Sequence, residues 1–209
     1  MLIVAPEARW FLLALVLLAV VLHGAVGLLW AWPGWLLALV MLWLLRVSPR
    51  DTPAIPAGVL APVDGTVLAI DTEAHDPYLD RPALHILMRQ NSLGEFSMRS
   101  PVEAKLLERW LPRERSSNAR LRGDANHVAM WLRSDYDEDI IVAFDVAAAL
   151  HYVKCGKFAG ERLGQGQRCG LVGFGRLVDV YLPREARVRV VVSQEVQAGV
   201  DQLVDLLRA

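Results

Sequence analysis

Few side chains in this 209-residue chain are spaced for chemistry. Asp64 sits in Ala61-Pro62-Val63-Asp64-Gly65, a turn that opens a β-branched run at Thr66. A carboxylate in such a turn can take a proton, or can simply cap the turn by accepting nearby backbone N–H groups. The five histidines, at 23, 75, 85, 127 and 151, have no metal-site spacing. Cys155 and Cys169 match neither a zinc motif nor CxxC. They read as structural or incidental thiols, which suits a reducing compartment. The acidic run Asp135-Tyr136-Asp137-Glu138-Asp139 alternates as a calcium loop does. Ile140 and Val146 stand where an EF-hand needs Gly and Glu, so the run reads as a hairpin tip. No GxSxG elbow occurs. Glycines at 164, 166, 170, 173 and 175 lead into a strand rather than a helix, which excludes the dinucleotide fingerprint. A formal net charge of -1 gives no global sign of a nucleic-acid partner.

The glycine-rich stretch carries a resemblance. GQRCGLVGFG at 166–175, followed by VDVYLP at 178–183, resembles the C-terminal region of the short, membrane-anchored phosphatidylserine decarboxylase proenzymes. Members of that family cut their own chain between Gly and Ser, and the Ser becomes an N-terminal pyruvoyl cofactor. The family pattern is Phe-Gly-Ser-Arg-Val-Asp; here it runs Phe174, Gly175, Arg176, Leu177, Val178, Asp179. The family's Ser-Pro-Ala-Asp-Gly is matched at 61–65. Its Asp-Val-His-Val-Asn-Arg-x-Pro falls on 94–101, with Phe96 at the His and Met98 at the Asn. A membrane-proximal Arg-Asp-Pro segment is echoed by Arg50-Asp51-Thr52-Pro53.

The resemblance implies catalytic positions at Asp64, Gly175 and Arg176, with Arg176 in place of the pyruvoyl Ser and Phe96 in place of the His. An Arg has no hydroxyl and cannot act as a base. Ser97 is no substitute base, and Ser193 falls in a later turn. The implied function is phosphatidylserine-to-phosphatidylethanolamine decarboxylation in phospholipid metabolism, degenerate in this chain, with no pyruvoyl group, other cofactor or metal. The alternative is a non-enzymatic membrane-tethered module that binds lipid or protein; a third reading is an active enzyme with an unrecognised nucleophile. Expected partners are membrane phospholipid and, less specifically, a second copy or another protein. The Arg-rich stretch 108–124 is either a solvated loop or a contact to anionic headgroups.

These residues need elements to position them. Residues 10–45 contain no Asp, Glu, Lys or Arg. They predict a transmembrane helical hairpin with legs near 9–23 and 28–46, turning around Gly24, Gly27 or Trp32-Pro33-Gly34; a single span over 10–31 is the alternative. Arg9 at one end and Arg46 and Arg50 at the other put both ends in the cytoplasm by the positive-inside rule. That implies an inner (cytoplasmic) membrane protein with its soluble domain on the cytoplasmic side. The chain divides into an anchor at 1–47, a Pro-rich linker at 48–58 and a mostly β domain at 59–209. Period-2 patterns predict strands at 66–70, 84–88, 102–107, 127–132, 140–144, 177–182 and 187–192. Residues 146–153 read as helical or irregular, and the tail 200–207 as amphipathic. The turns at 158–167 and 193–199 share an x-Val-x-x-Gly character, which predicts a duplicated, lipoyl-like barrel-sandwich.

Overall fold

The computed structural model describes residues 3–5, 8–92, 94–111, 127–146, 153–173 and 176–206. It forms two compact units, Met1–Pro49 and Arg50–Ala209.

In the first unit, β1 (Ile3–Val4) pairs antiparallel with β2 (Arg46–Val47), closing off α1 (Arg9–Val26) and α2 (Leu28–Leu44). Gly27 breaks the apolar run at φ 77°, a conformation open to glycine. Its N–H caps α1 on the His23 carbonyl, and its own carbonyl receives Trp30 and Ala31. Small residues bring the helices together: a Cβ at Gly34 would lie 3.7 Å from the Ala19 Cβ. Trp10, Phe11, Leu13, Leu17, Trp30 and Leu39 are exposed. The hairpin is present with nearly the expected legs, but the expected crossing of a membrane is not supported. Gly27 leaves helices of 18 and 17 residues. At 1.5 Å per residue they reach about 27 and 26 Å, short of a hydrocarbon core of about 30 Å. Among the described residues no helix is long and apolar enough to cross a membrane.

Among its described residues the second unit is built of strands. Its strands are β3 (Gly58–Leu60), β4 (Gly65–Asp76), β5 (Arg81–Gln90), β6 (Ser97–Arg99), β7 (Ala104–Trp110), β8 (His127–Ser134), β9 (Asp139–Asp145), β10 (Val153–Cys155), β11 (Arg162–Leu163), β12 (Arg168–Val172), β13 (Leu177–Pro183), β14 (Arg187–Val188), β15 (Glu195–Val196) and β16 (Gln202–Asp205). Eight form one sheet in the order β11-β7-β8-β9-β13-β5-β4-β15; β10-β12-β6 and β14-β16-β3 form two small sheets. The order is a palindrome about the β9–β13 pair. One half holds β3–β5 and β13–β16, the other β6–β12.

Hydrogen bonds repeat across the halves. Leu60 N–H donates to the Pro101 carbonyl (2.8 Å) and Arg99 N–H to that of Pro62 (2.9 Å). Gly199 N–H reaches Ala61 and Gly166 N–H reaches Ser100, both at 2.9 Å, and both glycines sit at φ 69°. Such reciprocal contacts are the mark of twofold symmetry. The turn Ser100-Pro101-Val102-Glu103-Ala104 is thus the counterpart of Ala61 to Gly65, with Glu103 matching Asp64. Alternation works as read in β13, where Val178, Val180 and Leu182 are buried in a core shared with Leu84, Ile86 and Phe144.

Several expectations change. The tail is strand β16, held between β14 and β3, with Leu203 and Val204 both buried. The strand expected over 187–192 stops at Val188, and β4 runs on to Asp76. The two cysteines are not free thiols: antiparallel pairing of β10 with β12 brings their Cα atoms to 5.3 Å, and they are bonded. The stretches 112–126 and 147–152, holding most of the Arg-rich segment and His151, lie outside the described residues.

Candidate functional site

Of the predicted site residues, the described ones, Asp64, Phe96 and Arg176, lie on segments that meet at one end of the first half. In the second half, Ser134 N–H donates to the Glu138 carbonyl (2.9 Å) and closes the β8–β9 hairpin. In the first half, Gln90 N–H makes the equivalent bond to the Arg176 carbonyl (2.7 Å), but no hairpin joins them. The chain leaves Gln90 for β6 and returns to Arg176 from β12. Arg176 therefore sits at an opened hairpin corner, reached by three separate segments.

Arg176 is 2% exposed. Its Nε donates to the Gly173 carbonyl (3.0 Å) and its Nη1 to the Asp145 carbonyl (2.8 Å), while Nη2 has no hydrogen-bond partner among the described residues. Burial lowers its pKa, opposed by the Asp145 charge. Phe174 and Gly175 lie outside the described residues. Phe96 is buried beside this segment: its carbonyl receives Val172 N–H (3.0 Å), and its Cδ2 lies 3.9 Å from where a Gly173 Cβ would be. The position that resembles the family's His thus adjoins the segment that resembles its cleavage site.

Asp64 is gripped from both sides. Arg50 binds it bidentately at 2.5 and 2.6 Å, and Ala198 N–H donates to Oδ1 (2.8 Å). Arg50 also donates to the Ala198 carbonyl (2.9 Å) and to Glu95 Oε2 (3.0 Å); Glu95 in turn lies 3.8 Å from Arg99. Burial disfavours the charge on Arg50, but bonds and charges from Asp64 and Glu95 outweigh it, so its pKa is raised. Asn91 N–H holds the Asp64 carbonyl (2.9 Å), one residue from the Gln90–Arg176 bond, which ties the Asp64 turn to the Arg176 segment. Beside Asp64 lies a cavity of ≈ 260 Å³ lined by Gly65, Thr66, Asn91, Glu195, Gln197 and Asp201.

The arrangement pairs Asp64 with Arg50, with neither a hydroxyl nor a base beside it at 96 or 176. Ser97 is buried on β6, and Ser193 lies at the sheet edge, its N–H on the Val67 carbonyl (2.8 Å). Met98, at the family's Asn, is core. Sequence reasoning missed Arg50, Glu95 and Arg99 as site residues. The available signal was the resemblance of Arg50-Asp51-Thr52-Pro53 to the membrane-proximal Arg-Asp-Pro. On the sheet's outer face His85 binds Asp179 (2.8 Å) and stacks on Tyr181, and His127 stands 3.6 Å from the same carboxylate. Among the described residues no cluster of His, Cys, Asp and Glu could hold a metal ion.

No family model matches the chain, and no solved structure matches it. Curated relatives do. The chain is 36% identical over 199 residues to the phosphatidylserine decarboxylase proenzyme of Nitrosomonas europaea, covering 94% of this chain and 92% of that one. It is 35% identical over 206 residues to the proenzyme of Nitrosomonas eutropha, with the same coverage. To that of Ralstonia nicotianae it is 33% identical over 210 residues, covering 98% and 96%. With an opened corner that gathers Asp64, Phe96 and Arg176, and with relatives matched along nearly its whole length, the chain belongs to the phosphatidylserine decarboxylase proenzyme family.

Proposed function

We propose that this chain is a membrane protein of phospholipid metabolism that keeps the family's frame and has lost its decarboxylation chemistry. Decarboxylation beside an amine needs an electron sink, which a pyruvoyl carbonyl supplies by forming a Schiff base. Making that group needs a hydroxyl at the scissile position and a base to take its proton. The observation that carries the reading is Arg176: a buried guanidinium, bonded to the Gly173 and Asp145 carbonyls, in the place of the family's Ser. Phe96 and the Arg50 grip on Asp64 support it. On this reading no pyruvoyl group forms and no cofactor is needed.

The cavity beside Asp64 favours a second reading in which the chain binds a phospholipid headgroup or a protein without turnover. The palindromic sheet and matched turns support a duplicated barrel-sandwich. The apolar hairpin, flanked by Arg9 and Arg46, supports an anchor embedded in the inner membrane with the β domain on the cytoplasmic side. At about 26–27 Å its legs would need local thinning of the bilayer. The test is incubation of the purified chain with phosphatidylserine in detergent micelles. No phosphatidylethanolamine above the protein-free rate is expected; its steady appearance would refute the lost chemistry.

A further inference from the structure

Two surface turns repeat one construction in the two halves. Residues 158–161 join β10 to β11, and residues 191–194 join β14 to β15. In each, the fourth side chain accepts the N–H of the first: Phe158 to Glu161 Oε1 (2.9 Å), Val191 to Gln194 Oε1 (3.0 Å). In each, the third residue has positive φ, 94° at Gly160 and 70° at Ser193. That residue donates its N–H to a sheet carbonyl, Leu106 (2.7 Å) or Val67 (2.8 Å). These bonds hold both ends of the turn, with the leading side chains exposed. Phe158 is 73% exposed, Val191 66% and Val192 52%. Four residues before each tip stands an exposed cation, Lys154 on β10 and Arg187 on β14.

Symmetry chooses the partner. A twofold rotation leaves the component along its axis unchanged, so the two turns stand at equal height along that axis. A plane that accepts apolar tips with cations behind them is a bilayer with anionic headgroups. A protein partner that engaged both turns at once would have to match their twofold arrangement.

We propose that the turns at 158–161 and 191–194 form a paired lipid-contact device: Phe158, Val191 and Val192 enter the boundary between headgroups and acyl chains, and Lys154 and Arg187 meet lipid phosphates. It rests on the reading that the chain works at a membrane, and it is independent of whether the helical hairpin is the anchor.

The test uses the full chain in vesicles of phosphatidylglycerol and phosphatidylcholine, with the photo-crosslinker p-benzoylphenylalanine placed singly at Phe158, Val192, Leu18 or Asp137. Lipid adducts, read by mass, are expected at Phe158 and Val192 and absent at Asp137. Those two adducts should be lost when phosphatidylcholine alone is used together with Lys154→Glu and Arg187→Glu. An adduct at Leu18 alone overturns the device and leaves the hairpin reading standing. Adducts at Phe158 and Val192 without Leu18 support the device and sink the hairpin. Equal labelling at Asp137, or adducts to protein in place of lipid, overturns the proposal.

Discussion

The two halves of the β domain end in corners built on the same hydrogen bond and used differently. In the second, Ser134 to Glu138 closes a hairpin whose tip, Asp135 to Asp137, faces solvent. In the first, Gln90 to Arg176 bridges two distant parts of the chain, and a buried Arg, a buried Phe and a gripped Asp fill the corner. The carboxylates at the paired turns differ in the same way. Glu103 is exposed and lies 3.8 Å from Arg162, itself exposed. Asp64 is mostly buried and held at 2.5 Å by a buried Arg50. The contrast teaches where a reactive site can come from in a duplicated fold. Opening one hairpin brings the Asp64 turn, the start of β6 and the segment before β13 to one place. On the proposed reading, what this chain lacks is side chains, while the backbone that gathers them is kept.

The sharpest way to probe the opened corner is to restore its missing groups. Arg176→Ser alone is expected not to cleave, since Phe96 offers no proton acceptor. Phe96→His combined with Arg176→Ser should outpace either single change by about 10²- to 10⁴-fold, because nucleophile and base act as a unit. The measure is the appearance of two chains on a denaturing gel. Efficient cleavage by the single Arg176→Ser variant would show that the base was never lost.

A smaller effect separates the two carboxylate turns. Arg50→Ala strands Asp64 and Glu95 in a largely buried setting and should cost about 3–5 kcal/mol. Arg162→Ala removes only surface pairs, worth about 0–1 kcal/mol. Urea unfolding of both variants compares them, and equal losses would erase the distinction between the corners.

The smallest effect lies at the other end of the first half, at the β4–β5 connection. Asp76 is fully buried there, accepting Tyr78 and Leu79 N–H. Burial raises its pKa above the ordinary 3.8, against those bonds and Arg81. Between the ordinary and the raised value the native state holds more protons than the unfolded one, so stability falls as pH rises through that window. Asp76→Asn keeps the Oδ1 acceptor and should flatten the fall in a urea midpoint series across acid pH. A series unchanged by the substitution would remove Asp76 as its cause.

Much of this was legible in the sequence where local rules decide. The Pro-to-Gly turn around Asp64, the alternation of β13 and the echo between the turns at 158–167 and 193–199 each follow from a few neighbouring residues. The failures have a common physical source, in contacts between positions whose adjacency only the folded sheets create. Arg50 and Asp64 are fourteen residues apart across a proline-rich linker, so Arg50 read as a flanking charge and part of a linker motif, not as a partner of Asp64. Cys155 and Cys169 meet because β10 pairs with β12, which no cysteine spacing reveals. The tail read as amphipathic, but β16 pairs with β14 and β3 along its two edges and buries the successive residues Leu203 and Val204.

The central claim is that Gly175–Arg176 stays unbroken, and intact-mass spectrometry of the purified full-length chain tests it most directly. The account predicts one species at the mass of the whole chain, 23.2 kDa. Two chains, the smaller beginning with a pyruvoyl group wherever the cut falls, would contradict it.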